Sequence, residues 1–410
     1  MKMKMKKSYH FKSAVLIFTL FSCFNYSCKK AETLNTTITT VNGDAPQTVD
    51  ITPVPCNQLK PRPVGMTWRD SLPLDKTLWP KNNGPITNAI FQLNWSDLQP
   101  DVYSSGGILD QAASSAATNI RWRLIDDAID HWKQAGMPGL PLRLYAGINA
   151  PKWVKMLGKN ECDAGVPNIM NIWVDPDHNG GDSTETAPRY WTQEYIDAHD
   201  VLTTRIANRY EGNNYFIAFY AFGAATAFSE YCINGMFRNV DVFRKNGMTT
   251  QKMKNAITHF ANKYNALFPT THIILWHSLP GLQGCTDGTG TAPQPVNGVY
   301  KMYSDVQFVT DMIKLWRGFG YHAINGSNDL DALEMNSSEL RRIVQEGGPI
   351  GHQTRKLSSI SNVYNTCDKG TDPIGGNATF IELPAGNNLT NNQLMGLTNK
   401  AKINNSKLCN

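Results

Sequence analysis

Charge is scarce in this chain of 410 residues: Asp, Glu, Lys and Arg together make up 18% of it, against 41% hydrophobic residues. That balance excludes wholesale disorder and leaves material for a large core. Several short signatures are missing as well. No Gly-x-Gly-x-x-Gly follows a candidate strand and no Gly-rich Lys-Ser/Thr loop occurs, so no dinucleotide or phosphate site is signalled. His-Glu-x-x-His, a His-x-His pair and Gly-x-Ser-x-Gly are also lacking, which removes the common metallohydrolase and serine-hydrolase plans. No Cys-x-x-Cys occurs, which argues against a zinc knuckle or a thioredoxin-type site. The formal charge of +5 comes from Lys2, Lys4, Lys6, Lys7 and Lys12. Without that leader the basic and acidic residues balance at 34 each, so nucleic acid is not an expected partner.

The leader itself is informative. A basic run ends at Lys12, and an apolar run from Ala14 to Phe24 precedes Ser27-Cys28-Lys29-Lys30. About eleven apolar residues are too few to span a bilayer, for which about 20 are needed. A small residue before a cysteine is the pattern of a bacterial lipoprotein cleavage site, and this one resembles the signal ends of lipoproteins from the Bacteroidetes group. Residues 1–27 are therefore read as a lipoprotein signal peptide with Cys28 as the lipidated terminus. Cys23 is the alternative, with a shorter apolar run behind it. Residues 28–61, rich in Thr and Pro, read as a tether. The expected location is the cell envelope, at the outer membrane or cell surface, with the membrane reached through the lipid alone. Six cysteines follow the leader, which makes disulfides plausible without fixing their pairing.

Residues 62–410 read as one domain, with no internal repeat. Candidate strands are 89–95, 142–147, 216–223, 272–277, 321–325, 350–354 and 379–383, and 64–68 makes an eighth. The helices between them carry apolar residues at helical spacing: Ile125, Ile129 and Trp132 in 120–135, and Leu202, Ile206 and Tyr210 in 201–210. Ile257, Phe260, Tyr264 and Leu267 repeat this in 253–268, as do Val309, Met312, Ile313 and Trp316 in 305–319. Strand and helix in alternation predict a parallel sheet with helical crossovers. Eight strands and no nucleotide signature favour a single (β/α)8 TIM barrel over an open doubly wound sheet. The 10 Trp and 15 Tyr suit a protein that stacks flat ligands such as sugar rings, although most such rings are ordinary core.

Barrel active sites are built from the C-terminal ends of strands, so polar residues that close an apolar run are the candidates. Three segments qualify: Phe91-Gln92-Leu93-Asn94-Trp95-Ser96-Asp97-Leu98-Gln99-Pro100 with Leu142-Arg143-Leu144-Tyr145-Ala146-Gly147 through Ala150-Pro151-Lys152-Trp153; the run from Phe216 to Ser229-Glu230; and Thr379-Phe380-Ile381-Glu382-Leu383. Their order, with Arg189-Tyr190-Trp191 opening a helix, resembles the clan-A (β/α)8 glycoside hydrolases of β-galactosidase and cellulase type. The resemblance spans about residues 85–390. It implies hydrolysis of O-glycosidic bonds, a carbohydrate substrate, no required cofactor, an acid/base Glu at the end of the fourth strand and a nucleophilic Glu at the end of the seventh. By count Glu230 is the acid/base. The family's usual Asn-Glu is Ser229-Glu230 here, and Gln99 stands where Glu is usual. The seventh strand ends in His352-Gln353-Thr354 without a carboxylate, whereas Glu382 is on the eighth. Either the count is off by one, the nucleophile has moved to Glu382, or the chain is not a retaining hydrolase. Its rival reading is a non-catalytic glycan-binding lipoprotein on a degenerate barrel.

Glu230 and Glu382 are the expected catalytic pair. Trp95, Trp153 and Trp276 are candidate sugar platforms, and Asp97, His277, Asn325 and Gln353 are candidate substrate contacts. Arg143, inside a strand, needs a carboxylate partner in the barrel interior and reads as half of a buried ion pair. Asp175, Asp177 and Asn179, followed by Gly180, match the start of a calcium loop, with Thr186 where its final Glu would stand. A structural calcium there competes with a plain polar loop. The sequence leaves the oligomeric state open. If Cys28 is the lipidated residue, Cys28→Ser should release the protein from membranes and Cys23→Ser should not; fractionation showing Cys28→Ser still membrane-bound would reject the assignment.

Overall fold

A chain of short apolar strands separated by amphipathic helices buries both faces of its sheet most completely by closing it. In the computed structural model of this chain the sheet closes. The structure describes residues 54–406 except 70–71, 158, 161–162, 168, 175–182, 225–238, 240–241, 244, 278–305, 329–348, 354–377 and 384–388, all within the unit Val49–Asn410.

The barrel strands are β1 (Gly65–Trp68), β2 (Ile86–Ala89 and Phe91–Asn94), β3 (Leu140–Tyr145), β4 (Phe216–Tyr220), β5 (His272–His277), β6 (Ala323–Asn328), β7 (Ile350–Gln353) and β8 (Phe380–Leu383). Every neighbouring pair is parallel, and β8 returns to pair with β1. β2 is interrupted at Ile90, so its first half pairs with β1 and its second with β3. Two rows of aligned residues run around the ring: Gln92, Arg143, Tyr220, Ile274 and Ile324, and Asn88, Thr67, Glu382, Gln353 and Asn328. The rows meet on β2 and on β6, standing four residues apart at each, so one circuit slips eight residues. That is the stagger of a (β/α)8 barrel.

Alternation along each strand sorts the side chains. Ile90, Ala218, Tyr220, Ile274, Ile324 and Phe380 pack together inside the ring. Their neighbours in sequence, among them Phe219, Ile273, Leu275, Ala323 and Ile381, join the larger core outside it. Gly351 of β7 has no side chain because a Cβ there would lie 2.4 Å from the Phe380 ring.

The helices cover that outer face. They are α1 (Arg123–Ala135), α2 (Gln193–Tyr210), α3 (Thr250–Leu267), α4 (Val306–Gly318) and α5 (Asn391–Ser406). α1 buries Ile125, Ile129 and Trp132 and stops at Gly136, whose φ of 77° suits a left-handed cap. α3 starts where the Thr249 hydroxyl accepts the Lys252 amide. α2 begins eight residues before the predicted 201–210 helix, because Tyr195 and His199 extend its buried face. α5 closes the chain against β1, its Thr398 hydroxyl accepting from the Met66 amide and donating to the Pro85 carbonyl.

The N-terminal face of the barrel is held by paired polar groups. The Lys60 ammonium donates to the Tyr210 and Phe216 carbonyls and to the Thr271 hydroxyl, with the Glu211 carboxylate 3.7 Å away. Burial lowers its pKa to about 8, against the pull of Glu211. His272 lies alongside, one ring nitrogen 2.9 Å from the Lys60 carbonyl oxygen. Burial takes the His272 pKa well below 6.5 and that of His322 down to about 4. These imidazoles fold neutral, and the unfolded chain protonates first as pH falls. Stability contributed by His322 is therefore whole above about pH 6.5 and is lost progressively down to about pH 4, roughly 3 kcal/mol from this residue alone. Urea unfolding at pH 7.5 and pH 4.5 should show this loss, and His322→Gln should reduce the pH dependence. A midpoint unchanged between the two pH values would contradict it.

Candidate active site

Three strands aim polar side chains at one point inside the upper barrel. Arg143 is on β3, Tyr220 is the last residue of β4 and Glu382 the third of β8. All three occupy inward positions of the alternation, since Leu142, Leu144, Phe219, Ile381 and Leu383 face the outer core. The Arg143 Nη2 donates to both Glu382 oxygens at 2.6 and 2.7 Å, and the Tyr220 hydroxyl donates to Oε1 at 2.7 Å. The guanidinium lies 4.3 Å from the Tyr220 ring centroid, a cation–π contact. Nη1 of Arg143 donates to the Gln92 side-chain oxygen at 3.2 Å, and the Tyr145 hydroxyl donates to that same oxygen.

The electrostatics follow from burial. Glu382 is 0% and Arg143 1% exposed. Burial works against the Arg143 charge, but Glu382, with the Tyr145 and Tyr220 hydroxyls, outweighs it, and the Arg143 pKa is raised. The Tyr220 hydroxyl is pushed well above its ordinary value by burial and by the adjacent Glu382 carboxylate, so it stays a donor. Glu382 thus accepts three hydrogen bonds, two of them from the buried guanidinium whose charge it balances.

Glu382 lies on the eighth strand, and the seventh ends at Gln353, so the strand count is sound and the seventh strand carries no carboxylate. The expected partner of Arg143 proves to be Glu382. Gln353 stands beside Glu382 in register and is buried. Asn325 is buried too, but it follows the inward Ile324 and pairs with the outward Leu275, so alternation turns it to the outer core and away from the barrel interior. Trp95 and Trp153 are both buried: the loops after β2 and β3 fold over the strand ends, and the Trp95 ring packs edge-on against Trp153, Tyr195 and Phe222. Their faces are turned to protein rather than to solvent. Asp97 is exposed one turn beyond β2. Trp276 and His277 end β5 in register with Gly326 and Ser327. Glu230, Cys28 and the calcium-like residues Asp175, Asp177 and Asn179 lie outside the described residues. Among the described residues no group of three or more His, Cys, Asp or Glu is placed to hold a metal, and no helix is long and apolar enough to cross a membrane.

A hairpin after β3 was not foreseen. Ile169–Val174 pairs antiparallel with Ser183–Pro188. Met170, Ile172 and Val174 are buried, while Asn171 and Trp173 face outward, the indole 38% exposed. Thr184 lies opposite Trp173 and Thr186 opposite Asn171, so one face presents an indole, an amide and two hydroxyls. The Asn239 side chain pins this strand to the segment after β4, accepting the Trp173 amide at 2.8 Å and donating to its carbonyl at 2.6 Å. The alternation from Met170 to Val174 was a strand signal hidden beside the calcium-like run.

No family model matches the chain, and no curated protein matches it. Its fold is similar to that of an intracellular xylanase of Thermoanaerobacterium saccharolyticum JW/SL-YS485, at 10% identity over 78% of this chain and 85% of that one, with a TM-score of 0.38. Xylanase XynB of Paenibacillus barcinonensis gives 8% identity over 80% and 84%, with a TM-score of 0.41. TcOYE, solved with pHBA, gives 12% over 77% and 79%, with a TM-score of 0.42. Such distant likenesses carry no functional argument.

The ion pair makes a direct prediction. Arg143→Met should cost ~3–5 kcal/mol in urea unfolding, because it strands a buried carboxylate. Adding Glu382→Gln to Arg143→Met should recover most of that loss. If the double variant is no more stable than Arg143→Met alone, the two side chains are not energetically coupled.

Proposed function

We propose that the chain is a glycoside hydrolase that cleaves O-glycosidic bonds in a poly- or oligosaccharide with Glu230 and Glu382 as its carboxyl pair. The observation that carries this reading is the Glu382 carboxylate, hydrogen-bonded by Arg143 and Tyr220 near the end of a barrel strand. Glycoside cleavage needs one carboxylic acid to protonate the leaving oxygen and one carboxylate opposite it, ~5–5.5 Å apart when the second attacks the anomeric carbon. In this reading Glu382, the ion-pair partner of Arg143, attacks, and Glu230 donates the proton and later takes one from water. In the sequence Phe228 and Tyr231 flank the Ser229-Glu230 pair.

Asp97, Trp276, His277 and Gln353 belong to the proposed substrate contacts. Trp173 joins them as an exposed platform, ahead of the buried Trp95 and Trp153. We further propose that Cys28 tethers the domain by lipid to an envelope membrane, and that Asp175, Asp177 and Asn179 mark a calcium loop. A second reading, a non-catalytic glycan-binding protein, is favoured by one observation: Glu382 is wholly enclosed and its carboxylate is tied to Arg143. A buried pair of that kind also serves as barrel structure alone.

The two readings separate in one experiment. A 2-deoxy-2-fluoro glycoside with a dinitrophenyl leaving group should trap a glycosyl ester on the peptide containing Glu382, read by mass spectrometry. Glu230→Gln should slow unactivated glycans by ~10²–10⁴-fold and activated aryl glycosides far less. Binding of glycans by a parent protein that cleaves none of a broad panel and takes no label would establish the second reading instead.

A further inference from the structure

The hairpin of Ile169–Val174 and Ser183–Pro188 holds an indole in solvent on a fixed backbone. Trp173 is 38% exposed, yet both of its main-chain groups are taken by the Asn239 side chain, at 2.8 Å from the amide and 2.6 Å from the carbonyl. Asn239 is itself 0% exposed. Groups occupied in this way point away from the partner strand. Trp173 and Thr184 are therefore a non-hydrogen-bonded pair, the kind whose side chains approach most closely, with Cα atoms about 4.5 Å apart. Asn171 and Thr186, two residues along, form a second such pair on the same face. Met170, Ile172 and Val174 are buried on the opposite face and anchor the strand beneath the indole.

The size and chemistry of the outer face select its ligand. Two residues along a strand span about 7 Å and paired strands lie about 5 Å apart, so the four side chains cover an area close to that of one pyranose ring. A stable protein partner needs ~800 Å² on each side, far more than four side chains provide. None of the four is charged. Glu185 pairs with Ile172 and so turns to the other face. The Lys155 ammonium stands at the edge, donating to the Ile148 carbonyl at 2.6 Å and to the Thr186 hydroxyl at 3.4 Å. That bond leaves Thr186 its own proton to donate, while the Thr184 hydroxyl and the Asn171 amide can each donate or accept. An indole face carries partial negative charge and suits the C–H face of a sugar, and the hydroxyls and amide around it suit the sugar's own hydroxyls.

We propose that Trp173, with Asn171, Thr184 and Thr186, forms a binding site for one uncharged sugar residue of a glycan chain. The inference rests on the carbohydrate-ligand reading above and deepens it, naming a neutral glycan and a place for it on the hairpin. It holds whether or not Glu382 is catalytic. Because Asn239 fixes the backbone before any ligand arrives, little ordering cost falls on binding.

Affinity electrophoresis at 4 °C through gels containing hydroxyethylcellulose, arabinoxylan, galactomannan or laminarin tests it, with polygalacturonate as the acidic comparison. At least one neutral polymer should retard the parent, and polygalacturonate should not. Trp173→Phe, which keeps a planar ring, should bind within ~3-fold of the parent; Trp173→Leu, apolar but not planar, should bind ~10-fold more weakly. Indole oxidation by N-bromosuccinimide, mapped by mass spectrometry, should reach the Trp173 peptide and be suppressed by the polymer that retards the protein. A Trp173→Leu variant that binds as the parent does overturns the inference. So do oxidation of Trp173 indifferent to the polymer, retardation by polygalacturonate as strong as by any neutral polymer, and a parent that no neutral polymer retards. Cleavage is read separately from the products. A panel bound through Trp173 and nowhere cleaved overturns the hydrolase reading and leaves the inference standing, whereas a polymer cleaved by a protein whose binding ignores Trp173→Leu overturns the inference alone.

Discussion

The Arg143–Glu382 ion pair is the constraint on which the upper barrel depends. Its partners are 239 residues apart, one on the third strand and one on the last. Taking two charges out of water costs several kcal/mol each, so neither side chain can be buried until the other arrives. That requires β3, β4 and β8 to be in their final register together. A slip of one residue on any of them would turn Arg143, Tyr220 or Glu382 outward into the apolar shell beneath the helices. Closure of the ring and assembly of the site are in this sense one event. The Tyr220 ring under the guanidinium and the Gln92 oxygen beside it complete a polar layer directly above the apolar plug of Ile90, Ile274, Ile324 and Phe380.

The opposite end of the barrel solves a different problem with similar means. Cavities of about 650 and 420 Å³ open on that face, one lined by Lys60, Glu211 and Thr270 and the other by Arg62, Thr87 and Asn405. Their charged groups are already engaged. Lys60 places three donor bonds within the protein, and Arg62 donates to the Asn405 side chain and the Tyr321 carbonyl. These bonds hold the lead-in segment across the strand ends. Paired polar groups thus brace the N-terminal ends of the strands, while the Arg143–Glu382 pair lies toward their C-terminal ends, where barrels of this kind carry their sites.

Much of this was legible in the sequence because the governing forces are local. Apolar runs bounded by polar turns mark all eight strands to within a few residues, and the stripe of Ile125, Ile129 and Trp132 marks a helix that buries those residues. An arginine inside an apolar strand announces a buried partner. Which carboxylate answers it is a matter of topology, and no local pattern reaches across 239 residues. The aromatic residues were harder for the same reason. Trp95 directly follows β2 and Trp153 lies in the connection after β3, positions open to sugar platforms, yet whether a loop folds over them is decided by residues far away. Trp173 is exposed for a reason visible in the alternation of its own strand, but the Asp-rich run beside it drew attention to oxygen ligands instead.

The exit of β4 shows why rigidity and exposure are divided between neighbouring loops. Phe222 and Gly223 have their backbone polar groups taken by Tyr264 and Tyr195, and a flat glycine surface lets Phe260 close over them. Both amides and the Gly223 carbonyl are thereby satisfied within the protein. The hairpin after β3 is built the other way, with Met170, Ile172 and Val174 sunk into the core and Trp173 left in solvent. Asn239 joins the two, since its amide completes the backbone bonding of Trp173 from the segment that follows β4. One exit thus commits its backbone polar groups to buried tyrosines, and the other commits them to a partner segment and leaves a side chain on display.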